Sequence, residues 1–389
     1  MEANETKAQG KRRYWLLVIP AAIVAAAAFF LWGGRKAGAG YTLTPTGISA
    51  ELDRDSATVT GRMGSLMLRA NRAGVQAVTA EGKAQWDIPY TMTHPYLLTC
   101  GQYALVADRG GKTAVLLRSD GMAVWLAAEN TILFQAMNEN GQTILVTQEE
   151  DGHGTTLYEF DGSKLLKRRT YEKNDGIPMA AALSADGRRM VTACLSYTGT
   201  SLTSVITVFD LSASGATLTD RVLGSCRLEG TLVTDLYYIE DTCIYLADNR
   251  IGGLATEKGC EEVWTEELTH RIRAAAFGKT AFAIALGEGL AGTGTEAEQD
   301  VRIYDGSGKQ LAGKTMGSIT GLTATEDVFV CGVGRSYTAL DRKGNTTWLY
   351  DAGEDYRQVF QLAGGRGVAA VSTEKFVFYS ITERTEEKG

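Results

Sequence analysis

From about residue 41 to 382 the chain alternates apolar and polar positions with period two, or runs several apolar residues together, and breaks at Gly, Asn, Asp and Ser. Such a pattern predicts strands joined by tight turns, with little helix. The strands recur in units: 66–86, 104–125, 144–168, 190–218, 244–264, 282–311, 328–348 and 367–381, whose starts lie about 38 to 54 residues apart. That spacing suits a four-stranded propeller blade. Each unit supplies a hairpin and a third strand after a Gly turn, and a further strand lies just ahead of it, as in 132–148 and 180–193. Strands are named A to D from the axis outward. The eighth unit stops after two strands, while residues 41–52 precede the first unit unused, so the N-terminal segment is expected to close the ring and remove an exposed edge. The expected fold is all-β, an eight-bladed β-propeller over residues 41–382, with seven blades the alternative.

Ahead of it the pattern changes. Residues 14–33 carry no charge, are flanked by Lys11, Arg12 and Arg13 before and Arg35 and Lys36 after, and place Tyr14, Trp15 and Trp32 near the ends. A run of that length and flanking predicts a transmembrane helix. The excess of Lys and Arg before it predicts a cytoplasmic N-terminal arm (1–13) and, beyond a linker (34–40), an extracytoplasmic propeller on the cell membrane. Ala37-Gly38-Ala39 offers the alternative of a cleaved signal peptide, against which stand the length of the apolar run and the two cations before the site. The tail 383–389 is charged and expected to be disordered.

Composition narrows function mainly by exclusion. A formal net charge of −7 over 389 residues, with no long basic run in the main body, gives no reason to expect nucleic acid. The six Cys contain no Cys-x-x-Cys pair and meet no His at ligand spacing, so no metal is expected. Cys100, Cys194 and Cys331 lie in apolar runs and read as buried. Cys226 and Cys243, neighbours across a possible hairpin, are the candidates for a disulfide in an exported domain. Three isolated His, at 94, 153 and 270, and the absence of a Gly-x-Ser-x-Gly elbow, a Walker loop, a His-Glu-x-x-His pair or an EF-hand loop leave no recognisable catalytic set.

The segments Gly82 to Trp86, Gly121 to Trp125, Gly344 to Trp348 and, with one extra residue, Gly259 to Trp264 resemble the Asp-x-x-x-Gly-x-x-x-Trp signature of quinoprotein-type (PQQ-like) β-propellers. Ser184 to Arg188 and Asn138 to Gln142 resemble turns of WD40-like and TolB-like propellers. The resemblance implies that Trp86, Trp125, Trp264 and Trp348 dock neighbouring blades. A single anchor carrying an outward propeller is also similar to an uncharacterised family of membrane-anchored propeller proteins of Gram-positive bacteria, which implies no activity. Quinoprotein dehydrogenases use a vicinal disulfide and a calcium site; no adjacent Cys pair occurs here, and no cofactor is expected.

One regularity points to binding. The B-to-C hairpins repeat an Arg, at Arg72, Arg109, Arg250 and Arg335, and all B-to-C loops of a propeller share one face. Four cations there suggest an anionic partner, whether an envelope component or an acidic protein. The longest insertions, 149–154, 195–204 and 287–300, fall on the same rim and bring His153 and Tyr197 into the candidate set. The expected function is a non-enzymatic protein- or envelope-binding scaffold. The alternative is a quinoprotein-like or hydrolytic enzyme with its site in the central funnel.

Overall fold

The computed structural model describes residues 40–52, 55, 57–198, 201–287, 298–365 and 367–384. The expected arm, membrane helix and nearly all of the linker, most of the tail and most of the 287–300 insertion lie outside these. Among the described residues no helix is long and apolar enough to cross a membrane.

Among the described residues thirty-two strands form eight antiparallel sheets of four, and in seven of them the strands follow chain order. These are blades I to VII, over residues 59–89, 95–127, 132–171, 177–229, 233–267, 271–316 and 319–351. Blade VIII takes its strands A, B and C from Gln358–Gln361, Gly367–Val371 and Lys375–Glu383, and its strand D from the N-terminal Tyr41–Glu51. The closing ladder runs from Tyr41 opposite Glu383 to Glu51 opposite Lys375. The ring therefore has eight blades and is closed by the segment expected to close it.

A four-stranded blade has two faces and no interior of its own, so its apolar residues must meet those of its neighbours. Eight apolar clusters result, one at each blade interface. Between blades I and II, for example, Leu68, Ala70, Val75 and Ala77 meet Ala104, Val106, Val115 and Leu117. Each fully buried Leu or Val in such a layer contributes about 1.5–3 kcal/mol relative to exposure.

The four tryptophans separate into two kinds. Trp86 Nε1 donates to the Ser119 carbonyl (3.1 Å), Trp264 Nε1 to the Gly306 carbonyl (3.0 Å) and Trp348 Nε1 to Gln361 Oε1 (3.0 Å), each acceptor lying in the next blade. The fit is close: Gly308 has φ +80°, and a Cβ built there would fall 2.3 Å from the Trp264 ring. Trp125 departs from the expectation. It is 50% exposed, and Val124 and Leu126 face blade III in its place.

The cause is strand parity. In blades I, V and VII a one-residue bulge between strands C and D precedes the Trp, which then pairs with Ala77, Gly253 or Ala339. In blade II there is no bulge, and Trp125 pairs with Val115 instead. A one-residue shift turns every following side chain to the other face.

Ion pairs add to the ring at the end where A-to-B and C-to-D turns lie. Arg189 of blade IV binds Asp210 (2.7 Å) and donates to the Thr256 and Glu257 carbonyls of blade V (both 3.1 Å). Burial pushes the Asp210 carboxyl up, but the Ser212 hydroxyl and N–H and the Arg189 charge outweigh it and hold it below its ordinary value. A carboxylate depressed in the folded state stabilises above its unfolded pKa, near 3.8, and loses that contribution as pH falls through the folded value. The stability gap between the wild type and Asp210→Asn should therefore narrow from about pH 6 to about pH 3, by urea unfolding at each pH. A gap that widens on acidification would contradict this assignment.

Candidate functional site

The B-to-C hairpins and D-to-A loops meet at one end of the ring because strands alternate direction within each blade. Short polar side chains tie the two sets together. Asp108 Oδ1 accepts from the N–H groups of Thr93 (3.0 Å) and His94 (2.7 Å), and Asp248 Oδ1 from that of Leu232 (2.9 Å). The Asn and Asp that open these hairpins thus anchor the preceding loop as well as shaping the turn.

The four arginines reach this end but do not form a common cationic field. Arg72 pairs with Asp55 (2.9 Å), and Arg335 grips Asp355 with Nε and Nη2 (2.8 and 3.1 Å). Each Asp lies in a D-to-A loop, and its carboxyl is held below the ordinary range: for Asp55 first by the Ala57 N–H, for Asp355 first by the Arg335 hydrogen bond. Arg250 is half-buried, its guanidinium carbon 6.0 Å from the Tyr245 ring centre. Arg109 is exposed and lies 4.3 Å over the Tyr96 ring, with no carboxylate partner among the described residues. Exposed ion pairs contribute little to stability. Here their consequence is electrostatic, since two of the four charges are already matched.

The insertions also take a form the sequence pattern did not suggest. At 195–198 and 201–204 the strands continue as a ribbon, with Leu195 opposite Ser204 and Tyr197 opposite Leu202. Tyr197 is 58% exposed and Leu202 is exposed beside it, so this ribbon carries apolar surface away from the ring. At 149–154 the ladder extends to Glu149 opposite Gly152, which leaves His153 inside the sheet, between Gln148 and Thr170. His153 is 4% exposed, so its expected place on the binding rim is corrected: extending the ladder buries it.

A mainly apolar concavity lies on the axis. A cavity of about 560 Å³ is lined by strand A residues of blades II to VI, among them Leu98, Phe134, Met137, Ala182, Tyr237 and Phe277. Tyr96 and Arg109 line it toward the hairpin end, and Glu139, Glu240 and Lys279, in A-to-B turns, toward the other. Tyr237 stacks on Phe277 (4.3 Å between centres), which continues through Phe282 to Tyr304 and stiffens this wall. Burial, reinforced by Glu139, pushes the Cys100 thiol up to about 12, so it is held as the neutral thiol. Among the described residues no group of three His, Cys, Asp or Glu could hold a metal.

A second hollow, of about 660 Å³, is lined by Asp55, Thr58, Thr60, Gln358, Ser372 and Glu374, and Tyr96 lines it too. Tyr96 therefore stands between an apolar channel and a polar hollow. Nothing in its local sequence marked it, since a Tyr near the start of a strand is ordinary strand composition.

Residues 40–388 match the profile of a family of unknown function (DUF5711). No curated protein matches the sequence. Among solved structures the chain is similar to BamB from Moraxella catarrhalis, at 14% identity and a TM-score of 0.52, over 87% of this chain and 100% of that one. It is also similar to the Pan2 WD40 domain of Neurospora crassa, at 8% identity and a TM-score of 0.47, over 87% of this chain and 91% of that one. At such identities the BamB likeness speaks for the propeller fold alone.

Proposed function

We propose that this chain, which belongs to that family, is a membrane-anchored, extracytoplasmic β-propeller that binds a protein partner at its hairpin end and performs no chemistry itself. The observation that carries the reading is the Tyr96–Arg109 pair at the mouth of an apolar channel. Tyr and Arg beside an apolar pocket are the residue types and setting in which interface energy concentrates. The wall of small and apolar side chains from Ala180 to Leu183 suits an inserted apolar segment better than a reaction needing converging acids and bases.

A protein partner is preferred to an anionic envelope polymer because Arg72 and Arg335 are matched by Asp55 and Asp355. Anchoring rests on the uncharged run 14–33 and the cations before it, whose excess also supports a propeller outside the cytoplasm.

The test is crosslinking on intact cells with a membrane-impermeant reagent, followed by capture of the full chain. The combined Tyr96→Ala and Arg109→Glu variant should capture at least about tenfold less partner. Met122→Glu, in an exposed C-to-D turn at the opposite end, should leave capture unchanged. Equal capture by both variants would remove the hairpin end from consideration, and no labelling from outside would remove the extracytoplasmic assignment.

A further inference from the structure

Blade IV lacks the docking tryptophan, and its replacement is informative. At the equivalent place beside the C–D bulge stands Gly224, opposite Val208. A Cβ built on Gly224 would fall 3.0 Å from both the Cys260 nitrogen and the Gly259 Cα, in the C-to-D turn of blade V. Without a side chain at 224 the turn of blade V comes almost onto strand D of blade IV.

Two residues along that strand, on the same face, is Cys226, opposite Ile206. Cys226 and Cys260 pack on the same apolar cluster between blades IV and V, near enough for each thiol to shift the pKa of the other. Both are free and only partly buried, so a small reagent can reach them. Cys243, named with Cys226 from sequence as a disulfide candidate, lies in strand B of blade V and is completely buried in the same layer.

We infer that Cys226 and Cys260 form a disulfide that covalently joins blades IV and V when the protein meets a disulfide oxidant. The exchange balances as two thiols and one oxidant disulfide giving one protein disulfide and two reduced thiols. The Cys226 sulfur attacks a sulfur of the oxidant and expels its other half as a thiol. Cys260 then attacks the mixed disulfide at Cys226 and releases the second half. The two protein S–H protons end on the departing thiols, and the two electrons pass to the oxidant.

The order of attack follows from the contact. The neighbouring Cys260 thiol holds the Cys226 pKa below its ordinary value, while Cys226, with burial, pushes that of Cys260 up. Cys226 is thus the first nucleophile. Once it is consumed, what held the Cys260 proton is gone. The inference needs neither the anchor nor the partner of the preceding section.

The experiment uses the full chain, reduced, freed of reductant and held folded at neutral pH with oxidised glutathione. It is then quenched with an alkylating reagent and peptide-mapped without reduction. Thiols alkylated in denaturant should fall from six to four, with a single linked peptide pair containing Cys226 and Cys260. Cys243→Ser should keep the link, and Cys226→Ser and Cys260→Ser should each abolish it. The unsubstituted chain decides the matter even if a variant fails to fold. Six alkylated thiols, a link through Cys243, or a glutathione adduct persisting on Cys226 would each overturn the inference.

Discussion

Replacing Trp348 by Ala is expected to lower the unfolding free energy by about 3–5 kcal/mol, the usual cost of emptying a buried aromatic site. The same change at Trp125 should move it by less than about 0.5 kcal/mol, as is usual for a surface position. The two residues stand four positions after a Gly in closely similar repeats, yet one is 1% and the other 50% exposed. Trp348 fills the layer between blades VII and VIII with Tyr337, Val359 and Tyr379, and its indole N–H satisfies Gln361. Its removal leaves a cavity and an amide oxygen without its donor, which adds to the lost apolar burial. Urea unfolding of the full chain and the two variants measures both effects. Comparable losses at the two positions would mean that strand parity does not decide which tryptophan holds the ring.

That contrast marks the limit of what the repeat pattern could reveal. Blade number and closure were legible because both depend on counting strands, and the unused residues 41–52 matched a strand missing from the last blade. The face a tryptophan presents depends on whether its strand bulges against strand C, which the Gly-to-Trp spacing does not encode. The available signal was across the ladder: the docking tryptophans stand opposite the small Ala77, Gly253 and Ala339, whereas Trp125 stands opposite Val115.

The candidate binding face was legible in outline for the same reason, since hairpin position follows from topology. Its charge was not, because Asp55 and Asp355 lie 17 and 20 residues from the arginines they match, in loops that meet the hairpins only when the blades assemble. His153 was misplaced because an insertion was read as a loop, although 149–154 extends an existing ladder by regular pairing. The apolar wall from Ala180 to Leu183 was visible beforehand, because a strand A facing the axis shows its composition directly.

Deleting residues 41–51 should have the largest effect of any change considered. The expected loss exceeds about 5 kcal/mol, comparable to the whole stability of many domains. This strand works in two layers at once. Leu43 packs with Trp348 and Tyr379 between blades VII and VIII, while Ile48 and Ala50 pack between blades VIII and I. Thr42 Oγ1 donates to the Leu349 carbonyl of blade VII (2.9 Å), and Thr46 Oγ1 to the Phe378 carbonyl of blade VIII (2.7 Å). Its removal would also strip the ladder from Lys375–Glu383 and leave an open edge able to pair with other chains. The deleted chain should therefore unfold at much lower urea and associate on standing, and a synthetic peptide of residues 41–51 should restore part of the loss by refilling the edge. An unchanged, cooperative unfolding midpoint in the deleted chain would show that blades I and VIII hold each other without the N-terminal strand. The ring would then owe its closure to the strand A contacts around the axis, such as the bond from Thr60 Oγ1 to Gln358 Oε1 (2.9 Å), and the shared blade would be an accessory to them.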